Sequence, residues 1–212
     1  MSEINKLISG FRVFKATQYQ EQREMVGHIL RQGIQPKTMI ICCSDMRIAP
    51  GKIFSSNPGE IYVVRNIAGL VPTYTETGAH GVLAAIEYAV RVLNVENIVV
   101  MGHSKCDGIK ALMSDAHDAS HKGSNSIQNW LSIANEARDA VKAALKDKSQ
   151  EEQEESCAQE SIILSLKNLL GYPWIMKRIE ENKISVFGWY FDIEEGNLRC
   201  FNPDTQQFET VM

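Results

Sequence analysis

Three short runs stand out for having almost no polar alternation: Thr38 to Cys43, Ile61 to Val64, and Asn97 to Met101, the last ending at Gly102. Unbroken apolar runs of this length predict strands buried on both faces, as in a parallel sheet. Between the second and third runs, Gly78 to Leu93 carries Ala, Leu, Ile and Val at helical spacing. Strand, helix, strand in this order predicts a right-handed crossover and an α/β sheet. Upstream, Phe11 to Gln32 spaces Phe11, Phe14, Met25, Ile29 and Leu30 among charged and amide residues, and Gly33 with Pro36 stops the pattern. That predicts an N-terminal helical arm over residues 1–34, followed by an α/β domain over residues 35–212.

Downstream, the patterning predicts a short helix over Ile109 to Met113, a polar loop over Ser114 to Asn125, and two long helices separated by the charged stretch Asp147 to Glu155. The charged stretch reads as a solvated helix face or a helix start. Lys183 to Asp192 is rich in β-formers, Glu194-Glu195-Gly196-Asn197 signals a turn, and Leu198 to Phe201 pairs back as a hairpin.

Charge narrows the range of partners. With 22 basic and 26 acidic residues the net charge is −4, which removes the electrostatic reason to expect nucleic acid or an anionic membrane. No segment approaches the roughly 20 apolar residues that a bilayer span requires, so the expectation is a soluble, cytoplasmic protein acting on a small molecule. Five cysteines are too few and too scattered for a disulfide scaffold, and suit metal binding or catalysis in a reducing compartment.

The chemistry gathers where the predicted strands end. Cys43 follows the first strand, with Asp45 and Arg47 just beyond it, and His103 and Cys106 follow the third. In an open α/β sheet the carboxyl ends of strands near a reversal of strand order form the functional crevice, so residues 60 positions apart can meet there. Two thiolates and an imidazole fill three corners of a zinc tetrahedron and leave the fourth open, the pattern of a catalytic site. Cys106 also falls at a predicted helix start, where backbone N–H groups favour a thiolate. His117 and His121 are four apart, but sit among Ser, Asp, Lys and Gly and read as a solvated loop.

The residues carry a family resemblance. Cys43-Ser44-Asp45 with Arg47, Pro58-Gly59-Glu60, Val63-Val64-Arg65-Asn66, Ala85 to Val90, Gly102-His103-Ser104 with Cys106, Asn168-Leu169-Leu170 with Tyr172-Pro173, and Gly188-Trp189-Tyr190 occur in the order found in β-class carbonic anhydrases, and the chain resembles that family over most of its length. The resemblance implies a mostly parallel central sheet flanked by helices, an N-terminal arm packing on a partner subunit, and homodimers or higher assemblies of dimers. It implies one zinc per chain held by Cys43, His103 and Cys106, with water or Asp45 in the fourth position. It further implies reversible hydration of CO2 to bicarbonate, with hydroxide generated on zinc as nucleophile and the Asp45–Arg47 dyad as its orienting catalytic pair.

The resemblance also places Tyr62, Ile67 and Tyr88 around the substrate, with Gln35 as a further contact, although Gln35 stands one position after the family's glutamine, where this chain has Ile34. Met46 replaces the usual serine, and Asp107 the usual glycine. Two other functions share these ligands: a hydrolase of CS2 or COS on the same scaffold, and a non-catalytic zinc-stabilised oligomer or sensor. A structural zinc has no need of the Asp45–Arg47 pair.

Overall fold

A computed structural model describes residues 2–33, 35–114 and 126–211. The chain divides into two compact units, Met1–Gln35 and Pro36–Met212. His117 and His121 lie outside the described residues.

The N-terminal unit holds two helices where the apolar pattern predicted one, α1 (Glu3–Ala16) and α2 (Gln18–Gln32). They meet at Thr17, whose backbone leaves helical geometry while its N–H and hydroxyl both donate to the Val13 carbonyl. A β-branched residue that can bond its own backbone upstream competes with helix continuation, which explains a break that hydrophobic spacing does not register. Ser2 caps α1 by accepting from the Asn5 N–H, and Gly33 ends α2 at a φ of 86°.

The second unit is built on a six-stranded sheet, β1 (Thr38–Cys43), β2 (Ile61–Asn66), β3 (Asn97–His103), β4 (Ser185–Phe191), β5 (Leu198–Asn202) and β6 (Gln207–Thr210), in spatial order β2-β1-β3-β4-β5-β6. The first four run parallel, and β5 and β6 add antiparallel at one edge. Met39, Ile41, Cys42, Ile98 and Met101 are fully buried, as unbroken apolar strands require. From β1 the chain steps to one side to form β2 and then crosses to the other side to form β3, so the order reverses at the carboxyl ends of β1 and β3.

Helices flank the sheet: α3 (Pro50–Ile53), α4 (Gly81–Glu87), α5 (Asp107–Met113), α6 (Ser126–Leu131), α7 (Asn135–Ala144), α8 (Gln150–Leu170) and α9 (Pro173–Glu180). The predicted helix over Gly78 to Leu93 is α4 extended by a wider π turn, Tyr88–Val92. The charged stretch before α8 holds the start of that helix: Ser149 and Glu152 form a reciprocal capping box. α8 lies so close on β3 that a Cβ at Gly102 would come within 2.8 Å of Ile162 Cδ1. Among the described residues, no helix is long and apolar enough to cross a membrane.

Candidate metal centre

Cys43 is the last residue of β1 and His103 the last residue of β3, so two adjacent parallel strands deliver a thiol and an imidazole to one level of the sheet. The strand pattern predicted His103 just past β3, whereas the ladder to β4 runs through His103↔Phe191 and holds it inside the strand. The chain then turns through Ser104 and Lys105, the latter at a left-handed φ of 54°, and Cys106 enters as the N-cap of α5. Ser104 anchors this turn: its N–H donates to Phe191 O at 3.0 Å, and its hydroxyl accepts from the Ile193 N–H at 2.9 Å.

The ligand atoms of Cys43, His103 and Cys106 lie within 4.8 Å of one another, and all three residues are buried. His103 Nδ1 lies 2.8 Å from Ser104 O, and because a carbonyl only accepts, Nδ1 carries the proton and donates. In the neutral imidazole Nε2 is then the lone-pair nitrogen, and it is buried with no hydrogen-bond partner. An orphaned buried acceptor calls for an explanation, and a metal supplies one. The sulfurs are 3.8 Å apart, far beyond a disulfide bond and close to the separation of about 3.8 Å that two Zn–S bonds of about 2.3 Å subtend in a tetrahedron. Two thiolates and a neutral imidazole suit zinc in softness and number, so the residues present fit that ion.

The two thiols divide their proton unequally. The hydrogen bond from Cys106 holds the Cys43 thiol well below its ordinary range, with help from His103 and the Asp45 N–H. Cys106 is pushed up as the proton-bearing partner and by burial, against the pull of the Gly108 and Ile109 amides. Cys42, one residue from Cys43 and fully buried, is raised by burial to about 11 and is an inert core thiol. Burial does the same to Cys157.

Asp45 and Arg47 sit on the loop after β1. Arg47 Nε and Nη2 donate to the two Asp45 carboxylate oxygens at 2.9 and 2.5 Å, and the Arg47 N–H adds a third bond at 2.8 Å. These bonds hold the Asp45 carboxyl down to about 2, with its side chain only 7 % exposed. Nη2 also donates to Lys105 O at 2.8 Å, which ties the dyad to the turn between His103 and Cys106. Asp45 Oδ2 stands 3.9 Å from the orphaned His103 Nε2, so the carboxylate borders the ligand cluster while remaining paired with Arg47. Asp107 approaches the same Arg47 nitrogen at 3.9 Å from an exposed position, and Met46 between the dyad residues is 94 % exposed.

The other expected site residues are placed differently. Ile67 opens the short 3-10 turn after β2, and its carbonyl accepts from Trp130 Nε1 at 2.8 Å. It packs so close to Gly108, two residues past Cys106, that a Cβ there would meet Ile67 Cγ2 at 3.0 Å. Tyr62 and Tyr88 pair with each other at 6.3 Å between ring centroids. Tyr62 lies opposite Met39, four residues before the Cys43↔Asn66 level, or roughly 13 Å down the strand. One subunit therefore does not bring that pair to the ligand cluster. Gln35 is exposed and ends the N-terminal unit.

Two further residues contact the backbone around this site, contacts that the sequence reading did not assign to them. Gly69, at a φ of 66°, presses on the ends of β1 and β3, where a Cβ would come 3.1 Å from Cys43 N and 3.2 Å from Met101 O. Arg65 spans the loop that carries the dyad. Both lie within or beside the segment Val63 to Asn66 that helped mark the family, but their roles depend on which backbone atoms they meet.

Comparison with known proteins agrees with this geometry. The carbonic anhydrase family model matches residues 38–198. Beta carbonic anhydrase 3 of Arabidopsis thaliana is 37 % identical over 204 residues, covering 96 % of this chain and 79 % of that protein. The chloroplastic beta carbonic anhydrase 5 of the same plant is 37 % identical over 194 residues, 92 % of this chain and 63 % of that protein. Among solved structures, the β-carbonic anhydrase CcaA superposes with a TM-score of 0.92 at 30 % identity, covering 99 % of this chain and all of that one. A tetrameric β-carbonic anhydrase of Sordaria macrospora superposes at 0.82 with 27 % identity, covering 94 % of this chain and 96 % of that one. The chain belongs to the β-carbonic anhydrase family, whose members are carbonate dehydratases.

Proposed function

We propose that this protein catalyses the reversible hydration of CO2 to bicarbonate and a proton, with Cys43, His103 and Cys106 holding one zinc. The observation that carries the reading is the orphaned, buried Nε2 of His103 beside two thiols 3.8 Å apart, with an ionised Asp45 at the border of the cluster. A zinc held there supplies acidified water, so that hydroxide is available near neutral pH. Asp45, kept charged by Arg47, accepts a hydrogen bond from the nucleophile's proton and turns its lone pair toward CO2. The same carboxylate repels anions that have no proton to donate. Its pairing with Arg47 leaves the fourth position to water; release of that pairing would let Asp45 take the position instead.

Ile67 lines the pocket from the same subunit through its contact beside Cys106. Tyr62 and Tyr88, half-buried and exposed on the edge strand and the π turn, reach a metal site only across an interface with a second copy. Gln35 joins them as a product contact. This assignment fits a homodimer or an assembly of dimers, as does the likeness to a tetrameric relative. A reducing compartment such as the cytoplasm suits five cysteines of which none is in a disulfide.

Two thiolates neutralise a divalent ion, which makes its water less acidic than in a three-histidine site, so hydration should rise above pH 7. Stopped-flow CO2 hydration from about pH 6.5 to 9, with zinc quantified and Cys106→Ala as control, tests the reading. Fast hydration with about one zinc per chain, abolished in the control, is the expected result. Full zinc occupancy with no hydration at any pH overturns it.

A further inference from the structure

The loop Ser44 to Arg47 carries the catalytic dyad but belongs to no helix or strand, so its carbonyls have no ladder partners of their own. Buried or half-buried backbone acceptors must find donors somewhere. Asp45 O finds the same donor as the carbonyls that flank the loop, Cys43 O at the end of β1 and Ile48 O just past it. From β2, Arg65 Nε donates to Cys43 O at 3.1 Å, and Nη2 donates to Asp45 O at 2.6 Å and to Ile48 O at 2.8 Å. The acceptors lie before the dyad, within it and after it.

We infer that Arg65 is a positioning residue for the reaction, a staple that fixes the backbone on both sides of Asp45 and Arg47 and thereby sets where the Asp45 carboxylate stands. Only a planar guanidinium presents several donors in a rigid fork, and it keeps its charge at every working pH. Three carbonyls turned onto one group fix the peptide planes at residues 43, 45 and 48. The Cα–Cβ directions between them follow, and with them the reach of the Asp45 side chain. The remaining restraints on the loop are Ser44 N–H to Asn66 O at 2.8 Å where it leaves β1, Ile48 N–H to Asp45 O at 3.1 Å, the Asp45–Arg47 bonds themselves, and Arg47 Nη2 to Lys105 O at 2.8 Å. The first holds only the near end of the loop to β2 and the last ties a side chain to the turn after β3, whereas Arg65 attaches the backbone carbonyls within and after the dyad to the sheet. The inference rests on the carbonic anhydrase reading for its catalytic consequence, although the staple is a property of the fold.

The test uses full-length, zinc-loaded Arg65→Lys, which keeps the positive charge but cannot span three carbonyls. We expect kcat for hydration to fall on the order of 10- to 100-fold, as for other groups that orient a metal site from outside it, with KM little changed and zinc content still near one per chain. Inhibition by thiocyanate, an anion with no proton to donate, should strengthen because a displaced Asp45 no longer excludes it. Amide hydrogen exchange should accelerate in the peptide spanning Ser44 to Ile48 and not in β3 or α8. If Arg65→Lys proves too unstable to purify, Arg65→Ala with millimolar guanidinium ion replaces it, with restoration of both hydration and slow exchange expected. Wild-type exchange in the loop together with a wild-type thiocyanate constant in Arg65→Lys, or no restoration by guanidinium in Arg65→Ala, overturns the inference. Should the wild-type protein itself show no hydration, the reading of function fails, while the exchange measurement still decides whether the staple exists.

Discussion

The two ends of the parallel strands are made of similar backbone and do opposite things. At the amino ends, Lys37 O accepts from the N–H groups of both Glu96 and Asn97, Ser185 N–H donates to Glu96 O, and the Lys37 and Glu96 side chains pair at 2.5 Å in solvent. Every polar group named there is satisfied by a near neighbour. At the carboxyl ends the backbone is equally well paired, through Ser44 N–H to Asn66 O and Ser104 N–H to Phe191 O. The side chains are not: an imidazole nitrogen is buried without a partner, and two thiols face each other. The contrast teaches that the crevice is marked by its side chains: a partnerless imidazole nitrogen beside two facing thiols calls for an explanation that a ligand completing the set supplies.

Adjacent cysteines sharpen the contrast most. Cys43→Ala should reduce zinc far below one per chain and lower hydration by more than about 100-fold, since even outer-shell changes cost up to that much. Cys42→Ala, one residue away and facing the core, should keep both zinc and activity and cost about 1 kcal/mol of stability, read by denaturant unfolding. Equal loss of zinc in the two variants would mean that the carboxyl-end crevice is not the metal site. Asp45→Asn comes next: zinc should remain while kcat falls on the order of 100-fold, the scale of a misplaced reacting partner. Metal analysis beside stopped-flow kinetics separates the two.

Gly69→Ala probes the backbone of the same end. The substitution forces a side chain into a left-handed φ and against Cys43 N and Met101 O, which should destabilise the protein by roughly 1 to 3 kcal/mol and lower zinc affinity by displacing Cys43. A melting temperature and zinc affinity equal to wild type would show that the crevice tolerates more relaxation than its contacts suggest. Acid should act through Asp45. Its carboxyl is held down to about 2 by Arg47, below its unfolded value near 4, so it adds stability that is fully present above that unfolded value and fades as pH falls toward 2. In zinc-free protein, the melting-temperature gap between wild type and Asp45→Asn should therefore shrink from pH 6 to pH 3. A constant gap would remove the pair from the account of acid stability.

Much of this was legible because it depends on side-chain order along the chain. The apolar runs of β1 and β3 and the ligands at their ends are local patterns, and the hairpin into β5 announced itself by its turn. Thr17 and the π turn after α4 were hidden because both arise from backbone hydrogen bonds that hydrophobic spacing does not encode. β6 was missed because Gln207 to Thr210 has one inward apolar residue, Phe208, whose partner Phe201 is supplied by the register with β5. The backbone contacts of Arg65 and Gly69 were invisible for a related reason. Their value lies in the carbonyls and amides they meet, which only the assembled sheet brings within reach.

The amino end offers the smallest effect and the control for all the others. Lys37 and Glu96 form the most conspicuous ion pair there, yet their side chains are 63 % and 54 % exposed, so water and salt screen both charges. Exposed pairs of this kind are worth about 0 to 1 kcal/mol, and the strand ends beneath are already held by two N–H groups on Lys37 O. Lys37→Ala should then shift unfolding by under about 0.5 kcal/mol, less still in high salt, and leave zinc content and hydration at wild-type values. A measurable loss of zinc or activity in this variant would mean that the two ends of the sheet are energetically coupled through β1, and that Cys43 depends on how its strand begins as well as on the loop and turn where it ends.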